Sequence, residues 1–372
     1  MRLLLPFLVG ACSAIVRAQT IPSETYDYNQ NVADLGRGGV HNIDPTVGSS
    51  FLANPAVLAF VKGFQWSILD IQAGVDGASV YNTYTQHPIS TANLPYYFGQ
   101  NVWLGGAGYS ALAVPNFGVA AYGSTYTDFI LHDPAYPTMN LEGYLDYGFV
   151  VGSAMQLNEN FALGLNVKHI TRQGSQTTLG PSTLLTGTLG SGTLTNLLAV
   201  AGSGYGMDLG ALYKATSTFN PTVSLAWKDV GWTTFAPNAG QTGPPPIEDN
   251  LVLGVTVGQS VLGVGWLAGF EFRHMLNWDV DSSKKFNFGT ELNLALIDLR
   301  AGLYEGYMTY GASVDLWILT IDAAQYTVER GIFAGEIADQ RYQVGVRMEA
   351  SLDPNFILQD IGGKNHRLKQ RR

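Results

Sequence analysis

The sequence predicts an all-β protein: a transmembrane, antiparallel, up-and-down β-barrel of about fourteen strands. Three observations predict it. Charged residues are only 13% of the 372, against roughly 25% in a soluble domain, while apolar residues reach 46% and glycines number 44. Period-two alternation of large apolar with small or polar residues recurs along the chain. An export-type leader precedes it, and no later segment could be a membrane helix. The same composition excludes a disordered chain, which needs high charge and few aromatics. It disfavours a helical enzyme, whose surface would carry more Lys and Glu. It also excludes collagen, because the glycines lack a three-residue period.

The elements follow in chain order. Arg2 precedes the apolar run Leu3–Gly10, no further charge appears until Arg17, and Ala18 follows Val16 with one residue between. Residues 1–18 therefore read as a signal peptide. The uncharged run Leu3–Val16 is too short to span a bilayer, which takes ~20 residues. Cys12, the sole cysteine, lies inside that leader, so the mature chain has no disulfide framework. Val9-Gly10-Ala11-Cys12 also resembles a lipoprotein cleavage box, so a lipidated Cys12 stands as the alternative to cleavage after Ala18. Residues 19–63 show no alternation. The longest uncharged stretch beyond the leader, Gly77–Thr127, is broken by Pro88, Pro95 and Pro115 and is not a span.

Strand-like runs lie near 64–75, 77–85, 101–112, 116–130, 143–157, 160–173, 203–215, 220–233, 248–258, 263–276, 284–296, 297–305, 307–316, 317–328 and 340–351. That is about fifteen, and the even count of single-chain bacterial barrels sets the expectation at about fourteen within 64–351. Phe286, Phe288, Thr290, Leu292, Leu294 and Leu296 alternate with Asn287, Gly289, Glu291, Asn293 and Ala295; Tyr342, Val344, Val346 and Met348 alternate with Gln343, Gly345, Arg347 and Glu349. In a soluble sandwich the second face would meet water and carry many Lys, Glu and Thr. Here it is rich in Gly, Asn, Ser and Ala with sparse charges of both signs, as suits a narrow lumen. Asn158-Glu159-Asn160 reads as a short periplasmic turn. Gln173–Gly202, with an apolar patch at Leu197, Leu198 and Val200, and the proline-rich Thr234–Ile247 read as extracellular loops. Residues 352–372 form a basic tail with Lys364, Arg367, Lys369, Arg371 and Arg372. Without those five, the body carries 15 basic against 29 acidic residues, which disfavours a nucleic-acid partner.

Leu35-Gly36-Arg37-Gly38-Gly39, then Phe51-Leu52-Ala53-Asn54-Pro55-Ala56-Val57 just before the first strand, resembles the FadL-like and PorV-like outer-membrane proteins (the PorV/PorQ and TraF-like group included). Tyr205-Gly206-Met207-Asp208-Leu209-Gly210, Trp227-Lys228-Asp229-Val230-Gly231-Trp232 and Leu299-Arg300-Ala301-Gly302-Leu303-Tyr304 look like strand phrases of the PorV branch. The resemblance covers most of residues 30–351. It implies a fourteen-stranded barrel whose segment 19–63 folds inside the lumen as a hatch, with Asn54, Pro55 and Ala56 as hatch or gating residues. In FadL the hatch gates uptake of long-chain fatty acids through a lateral route into the membrane; in PorV the barrel serves type IX protein secretion. On the residues alone, Asn bonding nearby backbone and Pro fixing φ make a tight turn, which serves a structural plug as well as a gate.

Other chemistry is sparse. The six histidines show no paired ligand spacing, so no metal and no cofactor are expected. Gly202-Ser203-Gly204-Tyr205-Gly206 looks like a phosphate loop, but a strand rather than a helix follows it, and the dinucleotide reading fails. Lys168, Arg172, Asp208, Lys228, Glu271, Arg273, Glu291, Arg300, Asp315, Arg347 and Glu349 face the lumen and read as a structural charge network rather than catalysts. The expectation is thus a non-enzymatic integral outer-membrane barrel with both termini periplasmic, surrounded by membrane lipid, that passes or binds a small hydrophobic compound. The alternatives are a scaffold or shuttle for a secretion-system protein partner, or a purely structural barrel.

Overall fold

A computed structural model describes residues 30–352 apart from 42, 44, 89, 91, 186–195, 218, 238–242, 262–263 and 295, together with 358–359. The leader with Cys12, the start of the 19–63 segment and nearly all of the basic tail lie outside the described residues.

Fourteen antiparallel strands form the wall. They are β1 (Phe64–Asp76), β2 (Asn101–Val114), β3 (Phe117–His132), β4 (Thr138–Gln156), β5 (Phe161–Leu179), β6 (Ala201–Lys214), β7 (Thr222–Lys228), β8 (Asn250–Val261), β9 (Val264–Phe272), β10 (Phe286–Asn293), β11 (Ile297–Tyr304), β12 (Tyr307–Leu316), β13 (Leu319–Glu329) and β14 (Ala338–Leu352). Each pairs with its sequence neighbours, and β14 returns to β1 from Phe64↔Leu352 to Asp76↔Arg341, so the sheet closes on itself. Two-residue strands at Ala236–Pro237 and Leu358–Gln359 add to β6 and β14.

The faces follow the sequence alternation. On β10, Phe286, Phe288 and Leu292 point outward and are exposed, while Asn287 and Glu291 are buried inside. On β14, Tyr342, Val344 and Val346 are outside and Gln343 is inside. The outward face is therefore a continuous apolar belt. It is edged by Phe117, Tyr213, Phe219, Trp266 and Trp317 near one rim and by Tyr205 and Trp232 toward the other, the girdle pattern of a membrane barrel.

The two rims differ. One carries tight turns such as Pro115–Asn116 and Trp317–Ile318, where Asn116 (φ 66°) and Trp317 (φ 69°) adopt the left-handed conformation. The other carries the long connections after β1, β5, β7 and β9. The wall is also uneven: β4 and β5 have 19 residues each, whereas β7 has 7. Where the tall strands rise past the belt, Leu131, Met139 and Leu141 on their outward face are covered by Leu94, Tyr97, Leu184 and Leu197 from two of the long connections. Leu197 is thus 4% exposed, and the expected apolar loop patch reduces to Leu198 with a half-covered Val200.

Two strand expectations are corrected. Residues 77–85 are not a strand: Ala78–Gln86 is a helix, α3, starting after Gly77. Val80, Tyr81, Thr83 and Tyr84 favour strand by propensity, but beyond the rim no ladder partner is available, and a helix satisfies its own backbone. Removing that run resolves the odd count. The run 220–233 stops at Lys228, because the chain then turns inward through Asp229 (φ 51°), Gly231 (φ 76°) and Trp232 (φ 68°).

Candidate functional site

The segment Gln30–Gly63 occupies the lumen. It contains α1 (Val32–Gly36), α2 (Ser50–Ala53) and a 3-10 turn, Pro55–Phe60. Val32 and Leu35 of α1 pack on Ala324, Tyr326 and Val328 of β13. Phe51, Leu52, Ala56, Val57 and Leu58 pack on the inner faces of β2 to β6, against Tyr109, Tyr122, Val150, Ile170 and Leu212. The plug therefore meets an apolar cluster under β2–β6, strands that also carry the inward ion pairs of Lys168 and Arg172, and a charged surface under β9–β14.

Asn54, Pro55 and Ala56 sit where the apolar cluster meets β5, β6 and β7. Asn54 is fully buried (0% exposed). Its Oδ1 accepts the Ala56 N–H at 3.0 Å and caps the 3-10 turn, while its Nδ2 donates to the carbonyls of Ala211 and Leu225 at 3.2 Å each. One amide thus ties the plug to two adjacent wall strands. Pro55 opens the turn where no N–H is needed. The wall makes room with glycine: a methyl group on Gly210 would stand 2.8 Å from Pro55 Cδ, and one on Gly164 would collide with the Pro55–Ala56 peptide.

Among the described residues, the inward charges named from the sequence fall into four ion-paired groups, beside the separate pairs Arg330–Asp128 and Arg341–Asp339. The largest starts on the plug: Arg37 donates to Asp34 (2.5 Å) and to Glu291 on β10. Glu291 also accepts from Arg300 (2.5 Å), which reaches Asp298 (3.1 Å) and Asp322 (3.4 Å), and Asp322 pairs with Arg347 (3.1 Å), itself 4.0 Å from Glu349. A second group joins His41 of the plug to Glu271 (Nδ1 at 3.2 Å, backbone N–H at 2.8 Å), with Arg273 on the same carboxylate at 2.9 Å. The third is Lys168 between Asp208 (2.7 Å) and Asp229 (2.8 Å); the fourth is Arg172 on Asp146 (2.6 Å). Asp315 accepts from Thr320 at 2.8 Å, and Lys228 is buried. Buried ions of this kind hold geometry only while paired, because a charge left alone in the interior keeps its full desolvation cost.

Several members were not singled out from sequence: Asp34, Arg37, His41, Asp146, Asp229, Asp298 and Asp322; nor was Phe235, which belongs to the apolar cluster. Arg37 lies in the glycine-rich stretch that was recognised, and a lone Arg between glycines was the available signal. Wall glycines mark its seat. Gly311 lies so close to Gly36 that a methyl on Gly36 would stand 2.8 Å from the Gly311 Cα, and a side chain on Gly289 would collide with the Arg37 backbone. Toward the long-loop rim, a small cleft is lined by Asp128, Glu142, Gln176 and Arg330, with Arg330 bridging to Asp128 at 2.7 Å.

No protein-family model matches the chain, and no curated protein matches it. Solved structures do. The chain is similar to the CymD monoaromatic hydrocarbon channel, with a TM-score of 0.51 and 12% identity over 87% of this chain and 97% of that one. It is also similar to the toluene transporters TbuX of Ralstonia pickettii (0.48, 14%, 86% and 97%) and TodX of Pseudomonas putida (0.44, 13%, 86% and 97%). The PorV-like part of the resemblance is not specifically supported by these matches. The comparison that carries the fold is the CymD channel, with which this chain shares its closed β-barrel fold.

Proposed function

We propose that the protein is an outer-membrane channel that passes a small hydrophobic compound through the apolar cluster of its lumen, with Asn54-Pro55-Ala56 as the gate. The observation that carries this reading is the apolar cluster that the plug and the wall share. A water-filled porin has a polar interior, whereas here Tyr109, Tyr122, Val150, Ile170 and Phe235 continue the apolar surface of the plug across β2 to β6. In this reading the rim of long connections is extracellular, the tight turns are periplasmic, and both termini lie on the periplasmic side. Residues 1–18 serve as the export signal. The charged surface under β9–β14 serves as the socket that holds the plug. The apolar patch at Leu197–Val200 suits the channel and the scaffold readings alike, and Leu197 is buried in the outer cluster.

The similar structures are described as channels for monoaromatic hydrocarbons or toluene, which makes toluene the first probe. Cells producing the protein should take up radiolabelled toluene faster than cells without it. Asn54→Ala and Pro55→Ala should change that rate while the barrel still inserts and shows heat-modifiable migration. Equal uptake with and without the protein, for toluene and for a long-chain fatty acid alike, would remove the channel reading.

A further inference from the structure

The wall is interrupted above β7. Beyond Lys228 the chain leaves the sheet, crosses the lumen face of β6 and rejoins the sheet at Ala236–Pro237, which pair with Ser203 and Gly202. Opposite the excursion, the inward positions of β6 are Gly202, Gly204 and Gly206. A methyl on Gly204 would collide with the Thr234 carbonyl, and one on Gly206 with the Thr233 hydroxyl. None of these three glycines has a positive φ, so what requires them is the space and not the backbone.

The crossing segment is anchored at one end and apolar at the other. Asp229 pairs with Lys168 at 2.8 Å and accepts the Thr233 hydroxyl at 2.6 Å, and its N–H donates to Asp208 at 2.9 Å. Thr233 is held to Ile247 by backbone hydrogen bonds of 2.9 and 3.0 Å. Phe235, 8% exposed, then reaches into the same cluster as Phe51 and Leu58 of the plug, under the Arg172 guanidinium at 5.1 Å. A solute that descends from the long-loop rim into the apolar cluster meets this segment before it meets the plug. The segment lies on a strip of wall without side chains and turns at three left-handed residues. Lifting it therefore unlocks no side chain of β6 and requires only that Phe235 leave the cluster it shares with Phe51 and Leu58.

We propose that Thr233–Pro237 is a second closure, in series with the plug and on its long-loop side, that must lift from the glycine strip of β6 for a solute to pass. As a gate it rests on the channel reading above; as a covering of the lumen it does not. Two measurements on intact cells test it. In Thr233→Cys/Gly206→Cys, oxidation should pin the segment to β6 and reductant should release it, since the Gly206 position abuts the Thr233 side chain at disulfide range. Toluene uptake should fall by at least about tenfold on oxidation and return on reduction; equal uptake in the two states would overturn the proposal.

The second measurement needs no transported solute. Ile170, fully buried and paired with Gly204 on β6, is replaced by Cys, and its reaction with a membrane-impermeant maleimide is timed. Adding Gly204→Val should speed labelling by at least about tenfold, because the valine displaces the segment, whereas Tyr205→Val on the outer face should not. No acceleration in a folded barrel would overturn the closure. A barrel that takes up no toluene in any variant, yet shows the acceleration, would remove the channel reading and leave the closure standing.

Discussion

Replacing Arg37 by Met should release the first half of the plug. The arginine is 2% exposed: its Nε donates to the Val40 carbonyl at 3.1 Å and one Nη to Asp34 at 2.5 Å, both within the plug, and the other Nη ties the plug to Glu291 of β10. Methionine keeps much of the apolar stem and removes the charge. Glu291 retains Arg300 at 2.5 Å, so it is weakened rather than stranded. Breaking a buried pair by removing one partner costs about 3–5 kcal/mol, and the retained Arg300 places this case near the lower end. At roughly 1.4 kcal/mol per tenfold, about 3 kcal/mol shifts the docked-to-released ratio of α1 by about two orders of magnitude. In planar bilayers the variant should therefore show long open events of higher conductance than the parent barrel. Arg37→Lys, which keeps the charge but not the fork, should fall between them. Folded, heat-modifiable Arg37→Met barrels with parental conductance would refute the reasoning, because the plug would then be held by contacts other than this one.

Deleting Gln30–Gly63 should raise single-channel conductance further than Arg37→Met, since it removes both halves of the plug; an unchanged conductance in a folded barrel would mean the segment does not obstruct the lumen. Val344→Arg, at the centre of the outward face of β14 between Ala73 and Ala323, should destabilise the bilayer-folded barrel by about 2–4 kcal/mol in urea titration. Leu292→Arg, one residue from the end of β10, should cost about 1 kcal/mol or less, and the reverse order would contradict the depth of these strands. Lys168→Met should leave Asp208 and Asp229 facing each other without their shared cation and cost about 3–5 kcal/mol. A second change, Asp229→Asn, should recover part of the lost urea midpoint; no recovery would argue against the pairing as the source of the loss.

What could be read from the sequence was whatever is local to a strand. Which residues of β10 and β14 face lipid is fixed by a period of two, and no distant contact can change it without turning every side chain over. The plug was visible for the opposite reason: residues 19–63 lack that period, and the Asn-Pro-Ala turn carries its own cap. What escaped was decided by partners far away in the chain. Arg37 and Glu291 are 254 positions apart, and nothing in either neighbourhood records the pairing. The helix at Ala78–Gln86 escaped because β-branched and aromatic residues favour strand only where a ladder exists to join. The inward turn after Lys228 is the instructive case. The proline-rich stretch that follows it describes a loop equally well inside or outside the barrel, so it could not give the direction. The direction is written on another strand, in the Gly-x-Gly-x-Gly of β6, which resembled a phosphate loop only while its side-chain parity was ignored. Once Tyr205 and Met207 are placed outward, the three glycines fall together on the inner face. A lumen face stripped of side chains over three successive inward positions is space that something else must fill. The same logic explains Gly164 and Gly210 beneath Pro55, and Gly289 and Gly311 beneath α1. These inward glycines mark the path of the chain through its own lumen.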